Sequence, residues 1–148
     1  MARKDSISST RRRQCRRASL LNSSVCVIKY LSYNSFKAKY NMKISVISPV
    51  YGAASLLKEL VKEIETAVLK LTNDYEIILV EDHSPDNSQS IIREICSKNK
   101  HVIGAFHSRN FGQQYAIHTG LSIASGDYIV TLDCDLQDTP ALIVDLYN

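Results

Sequence analysis

From Met42 onward the sequence alternates between two hydrophobic periods, and this alternation constrains the fold more than any other feature. Short runs rich in β-branched and other apolar residues are typical of strands buried inside a sheet. Four such runs occur, at residues 43–50, 75–80, 102–106 and 127–132. Between the first two runs, residues 54–71 place apolar side chains on one helical face and charged side chains on the other. The chain therefore begins this region as strand, helix, strand.

Helices are also predicted after the second, third and fourth strands. Asp86 or Ser88 can cap a helix that continues to about Ser97. Residues 112–124 predict the next helix, and the Thr-Pro pair at residues 139–140 predicts the start of a last one. Strands that alternate with helices indicate the α/β class with a doubly wound, mostly parallel sheet.

The charges divide the chain into two parts that require separate interpretation. Residues 1–41 carry ten Lys or Arg against one acidic residue, whereas residues 42–148 carry eight against fourteen. The basic part suits a nucleic-acid-binding arm, a membrane-surface patch or a transit peptide, but basic runs are common and unspecific. We interpret residues 1–41 as a disordered extension, or as translated sequence upstream of a true start at Met42. No nucleic-acid partner is expected.

Cysteine usage and hydropathy bear on the cellular compartment. The four cysteines are scattered and form no Cys-x-x-Cys pair, which argues against a zinc ribbon or a secreted disulfide scaffold. No apolar stretch approaches the roughly 20 residues that a membrane-spanning helix needs. The sequence therefore predicts a cytoplasmic domain, with no transmembrane segment in this chain.

Polar residues follow three of the predicted strands, where ligands of open α/β sheets bind. These residues are Pro49-Val50-Tyr51, Glu81-Asp82-His83-Ser84 and Asp133-Cys134-Asp135. Neither Gly-x-Gly-x-x-Gly nor a Gly-Lys-Ser/Thr loop is present, so the usual backbone cradles for phosphate are missing. Carboxylates repel a diphosphate directly, but they can hold a hard divalent cation that binds it.

An extended strand end would place Asp133 and Asp135 on one side of the chain. Cys134 would then point the other way, into the sheet packing. Purely structural roles are the alternative: Asp133 and Asp135 can be helix-capping residues, and Asp82 can be a turn residue. Arg109 can be a surface residue. The four histidines show no metal-ligand spacing, and we interpret all of them as structural or solvated.

Taken in order, these motifs resemble family 2 glycosyltransferases with the GT-A fold. The matching stretches are Ser-Pro-Val-Tyr, Val-Glu-Asp-His-Ser-Pro-Asp, Ser-Arg-Asn-Phe-Gly-Gln and Asp-Cys-Asp-Leu-Gln-Asp-Thr-Pro. The last two are similar to enzymes that move a sugar from a nucleotide to a polyprenyl phosphate, such as dolichol-phosphate mannosyltransferase. The resemblance covers residues 42–148, the predicted nucleotide-sugar-binding part of the domain.

The resemblance implies roles for individual residues and a divalent metal, Mg²⁺ or Mn²⁺. The nucleotide-sugar-binding set that it implies is Pro49, Tyr51, Asp82, Arg109, Asp133 and Asp135. Within this set, Asp82 accepts a hydrogen bond from the base, and Asp133 and Asp135 serve the ribose and the metal–diphosphate. Gly52, where Asn is frequent, and Glu81 and His83, where Asp and Gly are usual, depart from the family pattern and affect the shape of the base pocket.

The implied activity is inverting transfer, of hexosyltransferase type, from a nucleotide sugar to a polyprenyl phosphate in cell-envelope glycan or glycolipid synthesis. Such an enzyme would act at the cytoplasmic face of a membrane in its full-length form. The family places its general base and acceptor-binding residues later, beyond Asn148 in this numbering, so the domain is expected to be truncated on its C-terminal side. The alternative is a non-catalytic remnant that binds a nucleotide.

Overall fold

The structure is a computed structural model that describes residues 15–18, 26–30 and 42–147, with only the backbone described before residue 42. The strands are β1 (Cys15–Ala18), β2 (Cys26–Tyr30), β3 (Ile44–Val50), β4 (Tyr75–Glu81), β5 (Val102–Phe106) and β6 (Tyr128–Thr131). The helices are α1 (Leu57–Val68), α2 (Ser88–Lys98), α3 (Gln113–Ile123) and α4 (Leu142–Tyr147). Each strand and helix predicted after Met42 is present, within a few residues of its expected ends.

The strands form one sheet in the order β1-β2-β6-β3-β4-β5. Its four central strands, β6, β3, β4 and β5, are parallel, which confirms the predicted α/β class. Strand β3 lies between β4 and β6, so the carboxyl ends of these three strands are neighbours. This is the place where the order of strands in the sheet reverses, and where open α/β sheets bind their ligands.

Pro49 lies in a central strand although it has no N–H to donate. The pairing of β3 with β6 ends at Ile47 opposite Thr131, and Leu132 N–H donates to the Ile47 carbonyl at 2.9 Å. Alternate residues of a strand face the same neighbour, so Pro49 faces the β6 side beyond its last paired residue. The missing donor therefore costs no ladder hydrogen bond there.

Helices cover both faces of the sheet, which explains the nearly unbroken apolar strands. Side chains of α1, α2 and α4 pack on one face with Val46, Leu79 and their neighbours. Helix α3 packs on the other face, against Ile47, Ile78 and Val80. In the part of the chain that the structure describes, no helix is both long and apolar enough to cross a membrane.

Two short strands within the basic extension were not predicted. Strand β2 pairs antiparallel with β6, and β1 pairs antiparallel with β2. The remaining residues of 1–41 lie outside the described part of the chain. The interpretation of that stretch as a disordered extension, or as sequence before a start at Met42, stays a prediction for them.

Candidate functional site

A cavity of about 260 Å³ opens at the carboxyl ends of β3, β4 and β6. It is lined by Pro49, Val50, Tyr51, Asp82, Gln113, Asp133, Cys134 and Asp135. Five of the six residues predicted to bind the nucleotide sugar are in this set. The sixth, Arg109, is not among the lining residues.

Hydrogen bonds join the loops after β3 and β4 to each other. Gly52 N–H donates to Ser84 Oγ at 3.2 Å, and Ala54 N–H donates to Asp86 Oδ2 at 3.0 Å. The other oxygen of Asp86 accepts the N–H of Ser88 at 3.0 Å, at the start of α2. The N-cap residue of α2 is Asn87, so neither predicted capping residue, Asp86 or Ser88, occupies that position. Asp86 instead accepts the first N–H of the helix from the preceding turn, and it also holds the loop that carries Tyr51.

Tyr51 is the one aromatic residue among those that line the cavity. It is 55% exposed, although it directly follows a fully buried strand. Its ring is therefore available to a planar ligand on the cavity side.

Asp82 is buried, and its carboxylate organises the loop before α3. Oδ1 accepts the N–H of Phe111 at 2.9 Å and Oδ2 accepts the N–H of Gly112 at 2.7 Å. The Nδ1 atom of His107 lies 2.7 Å from the same Oδ1 and donates to it, since a carboxylate only accepts. Burial raises the pKa of Asp82, but these hydrogen bonds outweigh it and hold the pKa below its ordinary value.

These bonds leave little of Asp82 free for a ligand. A carboxylate offers about four acceptor positions, and three are filled from within the chain. The open position is on Oδ2, which accepts only from Gly112 among the described residues. A hydrogen bond from a nucleotide base to Asp82 stays a prediction, and it would have to be accepted at this position on Oδ2.

The geometry of Asp133 and Asp135 differs from the expected extended strand end. Strand β6 ends at Thr131, and the residues after it form turns in which Leu136 has a φ of 59°. Asp133 Oδ1 accepts from Gln113 Nε2 at 2.7 Å, and Asp135 Oδ1 accepts the N–H of Gln137 at 3.0 Å. Both acids line the cavity, and within the described part of the chain no hydrogen bond to either Oδ2 atom is found.

The two carboxylates suit a hard divalent cation. Mg²⁺ is commonly held by one or two carboxylates together with substrate phosphates and water, without a full protein cage. Among the described residues, no group of three or more His, Cys, Asp or Glu side chains could hold a metal by itself. Asp133 and Asp135 could therefore supply two oxygen ligands, and the remaining ligands would come from the substrate and water.

Cys134 and Arg109 are placed only partly as expected. Cys134 packs against the hydrophobic core, as predicted, but it also lines the cavity. Burial raises the pKa of its thiol. The guanidinium of Arg109 lies 4.6 Å from the centre of the Phe111 ring, a cation–π contact outside the cavity lining. Its predicted contact with phosphate stays a prediction.

Sequence reasoning assigned no role to Gln113, although it contacts Asp133 directly. Its signal in the sequence was its place as the first residue after the Ser-Arg-Asn-Phe-Gly loop, at the start of a predicted helix. A hydrogen bond between residues 20 positions apart depends on the tertiary fold, so no local pattern indicates it.

Comparison with known proteins gives the same picture of the domain. The family described as "Glycosyl transferase family 2" matches residues 45–148. A mannosyltransferase, PcManGT from Pyrobaculum calidifontis, solved with GDP-Man and Mn²⁺, is 24% identical with a TM-score of 0.58. That match covers 66% of this chain and 28% of the other.

Two further solved structures are similar. S. aureus TarS 1-349 in complex with UDP-GlcNAc is 24% identical with a TM-score of 0.52, over 64% of this chain and 27% of TarS 1-349. Mannosyl-3-phosphoglycerate synthase from Rubrobacter xylanophilus is 18% identical with a TM-score of 0.53, over 66% of this chain and 32% of the synthase. At these identities the likeness shows the fold, which is of GT-A type. The chain spans less than a third of each of these proteins.

Proposed function

The chain belongs to glycosyl transferase family 2, and on that premise we propose that its cavity binds a nucleotide-sugar donor together with Mg²⁺ or Mn²⁺. The observation that carries the proposal is the presence of Asp133 and Asp135 in one cavity with Tyr51 and Asp82. The fold is a nucleotide-sugar-binding fold, and the cavity lies at its topological switch point.

Charge is the reason that the proposal includes a cation. Two carboxylates would repel the diphosphate of a nucleotide sugar, whereas both could hold a cation, since the hydrogen bonds found within the described chain engage their Oδ1 atoms. When bound, such a cation neutralises the charge that develops on the departing diphosphate. The Mn²⁺ in the similar mannosyltransferase structure supports this part of the proposal.

The remaining lining residues fit the nucleoside. The exposed ring of Tyr51 can pack against a base, with Pro49 beside it in the cavity wall. Asp82 has one acceptor position for a ring N–H. Asp133 Oδ2 can accept from a ribose hydroxyl or serve the cation. The GDP-Man and UDP-GlcNAc complexes of similar proteins support a nucleotide-sugar ligand without choosing between the two bases.

We further propose that the sugar is transferred with inversion to a polyprenyl phosphate at the cytoplasmic face of a membrane. The support is the resemblance of residues 108–113 and 133–140 to enzymes of that kind. A phosphate acceptor is already ionised, so it can attack the anomeric carbon without a general base from this part of the domain.

The test is calorimetric titration of the whole chain with GDP-Man, UDP-GlcNAc, GDP and UDP, in Mn²⁺ or Mg²⁺ and then in chelator. We expect binding that requires the metal. Asp135→Ala should weaken this binding at least about 100-fold, because one of the two carboxylates proposed to hold the cation is lost. Its free energy of unfolding should change by less than about 0.5 kcal/mol, since Asp135 is exposed.

Asp74→Ala is the matched control. Asp74 is an exposed aspartate at the opposite end of the sheet, just before β4, and its loss removes the same charge. It should bind the nucleotide as the wild type does. Wild-type binding that is indifferent to chelator would overturn the role of the cation, and no binding by the folded wild type would overturn the donor site.

A further inference from the structure

Gln113 begins α3 at the edge of the cavity, in a position prepared by the residue before it. Gly112 has a φ of 95°, a conformation that residues with a side chain rarely adopt. This turn directs the chain from the loop at residues 107–112 into the helix. The N–H groups of Phe111 and Gly112 are both held by Asp82, so the start of α3 is fixed to the end of β4.

The side chain of Gln113 then reaches a different strand end. Its Nε2 atom donates to Asp133 Oδ1 at 2.7 Å, and Asp133 follows β6. Strand β3 lies between β4 and β6, so the Asp82–Gly112–Gln113–Asp133 connection spans the end of β3, where Tyr51 lies. The start of α3 thus links both outer walls of the cavity.

The chemistry of the bond suits a carboxylate that must also serve a ligand. A carboxylate only accepts, so the amide NH₂ of Gln113 faces Asp133, and Oε1 stays available as an acceptor. Lys or Arg in the same place would form a stronger ion pair, but its positive charge would repel a cation at Asp133 and Asp135. A neutral donor orients the carboxylate without that repulsion.

We propose that Gln113 is a positioning residue that holds Asp133 Oδ1 and thereby directs Oδ2 toward the bound nucleotide and cation. The inference rests on the proposed donor site and adds to it a residue that determines how well the site is formed. Partners that orient a metal-binding group typically contribute 10- to 100-fold to affinity.

The experiment compares Gln113→Met with Gln114→Met in the whole chain. Methionine keeps the length and helix propensity of glutamine and removes the donor. Gln114 is the next residue of the helix, is also exposed, and is not among the residues that line the cavity. The probes are GDP and UDP with Mn²⁺. We expect Gln113→Met to weaken binding about 10-fold and Gln114→Met to change it less than 2-fold.

A second measurement detects the bond itself. In ¹H–¹⁵N spectra, the side-chain amide signals of Gln113, identified by their loss in Gln113→Met, should shift in Asp133→Ala, while those of Gln114 stay in place. A residue that merely supports the helix would not show this response.

The outcomes separate the two proposals. If the wild type binds the nucleotide and the two methionine variants bind it with equal affinity, the positioning role alone is overturned. The same holds if the Gln113 amide signals do not shift in Asp133→Ala. A folded wild type that binds neither GDP nor UDP with Mn²⁺ would overturn the donor site, and with it the role assigned to Gln113.

Discussion

Acidic residues lie at both ends of the sheet, and the two groups are built differently. At the amino end, Glu76 near the start of β4 is 6% exposed and surrounded by donors. At the carboxyl end, Asp133 is half-buried and Asp135 is exposed, and among the described residues each accepts a hydrogen bond through Oδ1 alone. The same chemical group is thus satisfied within the chain at one end and left available at the other.

Glu76 is satisfied by three residues from two other parts of the chain. Its Oε1 accepts from Ser45 Oγ at 2.6 Å and from Ser125 N–H at 2.7 Å. Its Oε2 lies 2.6 Å from Lys43 Nζ. Ser45 in turn accepts the N–H of Gly126 at 2.8 Å, and a side chain at Gly126 would come within 2.7 Å of the Ser45 backbone nitrogen. Both carboxylate oxygens of Glu76 thus have partners within the described part of the chain.

The difference separates residues that stabilise the fold from residues that bind. Leaving buried polar partners unsatisfied costs free energy of unfolding, whereas losing an exposed carboxylate costs little stability. The comparison therefore predicts that substitutions at the amino end change stability and those at the carboxyl end change affinity.

Glu76→Ala is the change expected to have the largest effect on stability. It removes the acceptor of Ser45 Oγ and of the Ser125 N–H at a largely buried position. It also leaves the ammonium of Lys43 with Ser125 Oγ as its remaining partner among the described residues. We expect the free energy of unfolding to fall by about 3 kcal/mol, measured by urea denaturation. The folded fraction should bind the Mn²⁺–nucleotide with unchanged affinity.

Glu59→Ala is the control for this change, because Glu59 is an exposed acid on α1. It should change stability by less than about 0.5 kcal/mol. If Glu76→Ala instead weakened nucleotide binding at full stability, the proposed division between the two ends of the sheet would be wrong.

Asp82→Asn should change both stability and affinity, because Asp82 both stabilises the fold and lines the cavity. Its carboxylate is buried like Glu76, yet it lines the cavity and anchors the loop that leads to Gln113. An amide in its place presents an NH₂ to one of the N–H groups that Asp82 accepts. We expect a loss of about 2 kcal/mol in stability together with a several-fold loss of nucleotide affinity.

The measurements are urea denaturation and calorimetry on the same samples, with Asp74→Asn as the exposed control. Loss of affinity at wild-type stability would mean that Asp82 acts on the ligand alone. Loss of stability with unchanged affinity would instead place Asp82 with Glu76, as a purely structural acid.

The sequence allowed the fold to be predicted because its determinants are local and periodic. The apolar stripe of α1 and the continuous apolar runs of β3 and β4 each specify an element and its buried side. Parallel topology then brings the carboxyl ends of the strands together. For this reason one site could be predicted from the sequence alone, and its predicted residues include Pro49, Tyr51, Asp82, Asp133 and Asp135.

The details that escaped prediction depend on contacts between distant residues. Strands β1 and β2 carry no alternating pattern, and they were missed because the backbone pairing of β2 with β6, and of β1 with β2, requires none. The turn at Asp133–Asp135 follows from where β6 stops pairing with β3. The hydrogen bonds between Asp82 and the loop before α3 join residues about 30 positions apart. The sequence therefore identified Asp82 as a site residue but did not indicate its hydrogen-bond partners.

Acidification gives the smallest expected effect and tests the amino end without a cavity-forming substitution. Burial raises the pKa of Glu76, but the hydrogen bonds from Lys43, Ser45 and Ser125 outweigh it, so the pKa lies below its ordinary value of 4.5. A carboxyl group whose pKa is lowered by folding stabilises the fold above its unfolded pKa. That stability is lost as the pH falls through the folded pKa.

Wild-type stability should therefore fall below about pH 4.5, and Glu76→Gln, which cannot titrate, should start lower at neutral pH and fall less steeply. The difference in slope is at most about 1.4 kcal/mol per pH unit for one proton. Part of the slope should persist in the variant, because folding also lowers the pKa of Asp82. Urea denaturation from pH 7 to pH 3 measures both curves, and Glu59→Gln controls for the lost charge. If the stability of the wild type and that of Glu76→Gln fell in parallel with pH, the hydrogen bonds from Lys43, Ser45 and Ser125 would not keep Glu76 ionised. The electrostatic distinction between the two ends of the sheet would then be lost.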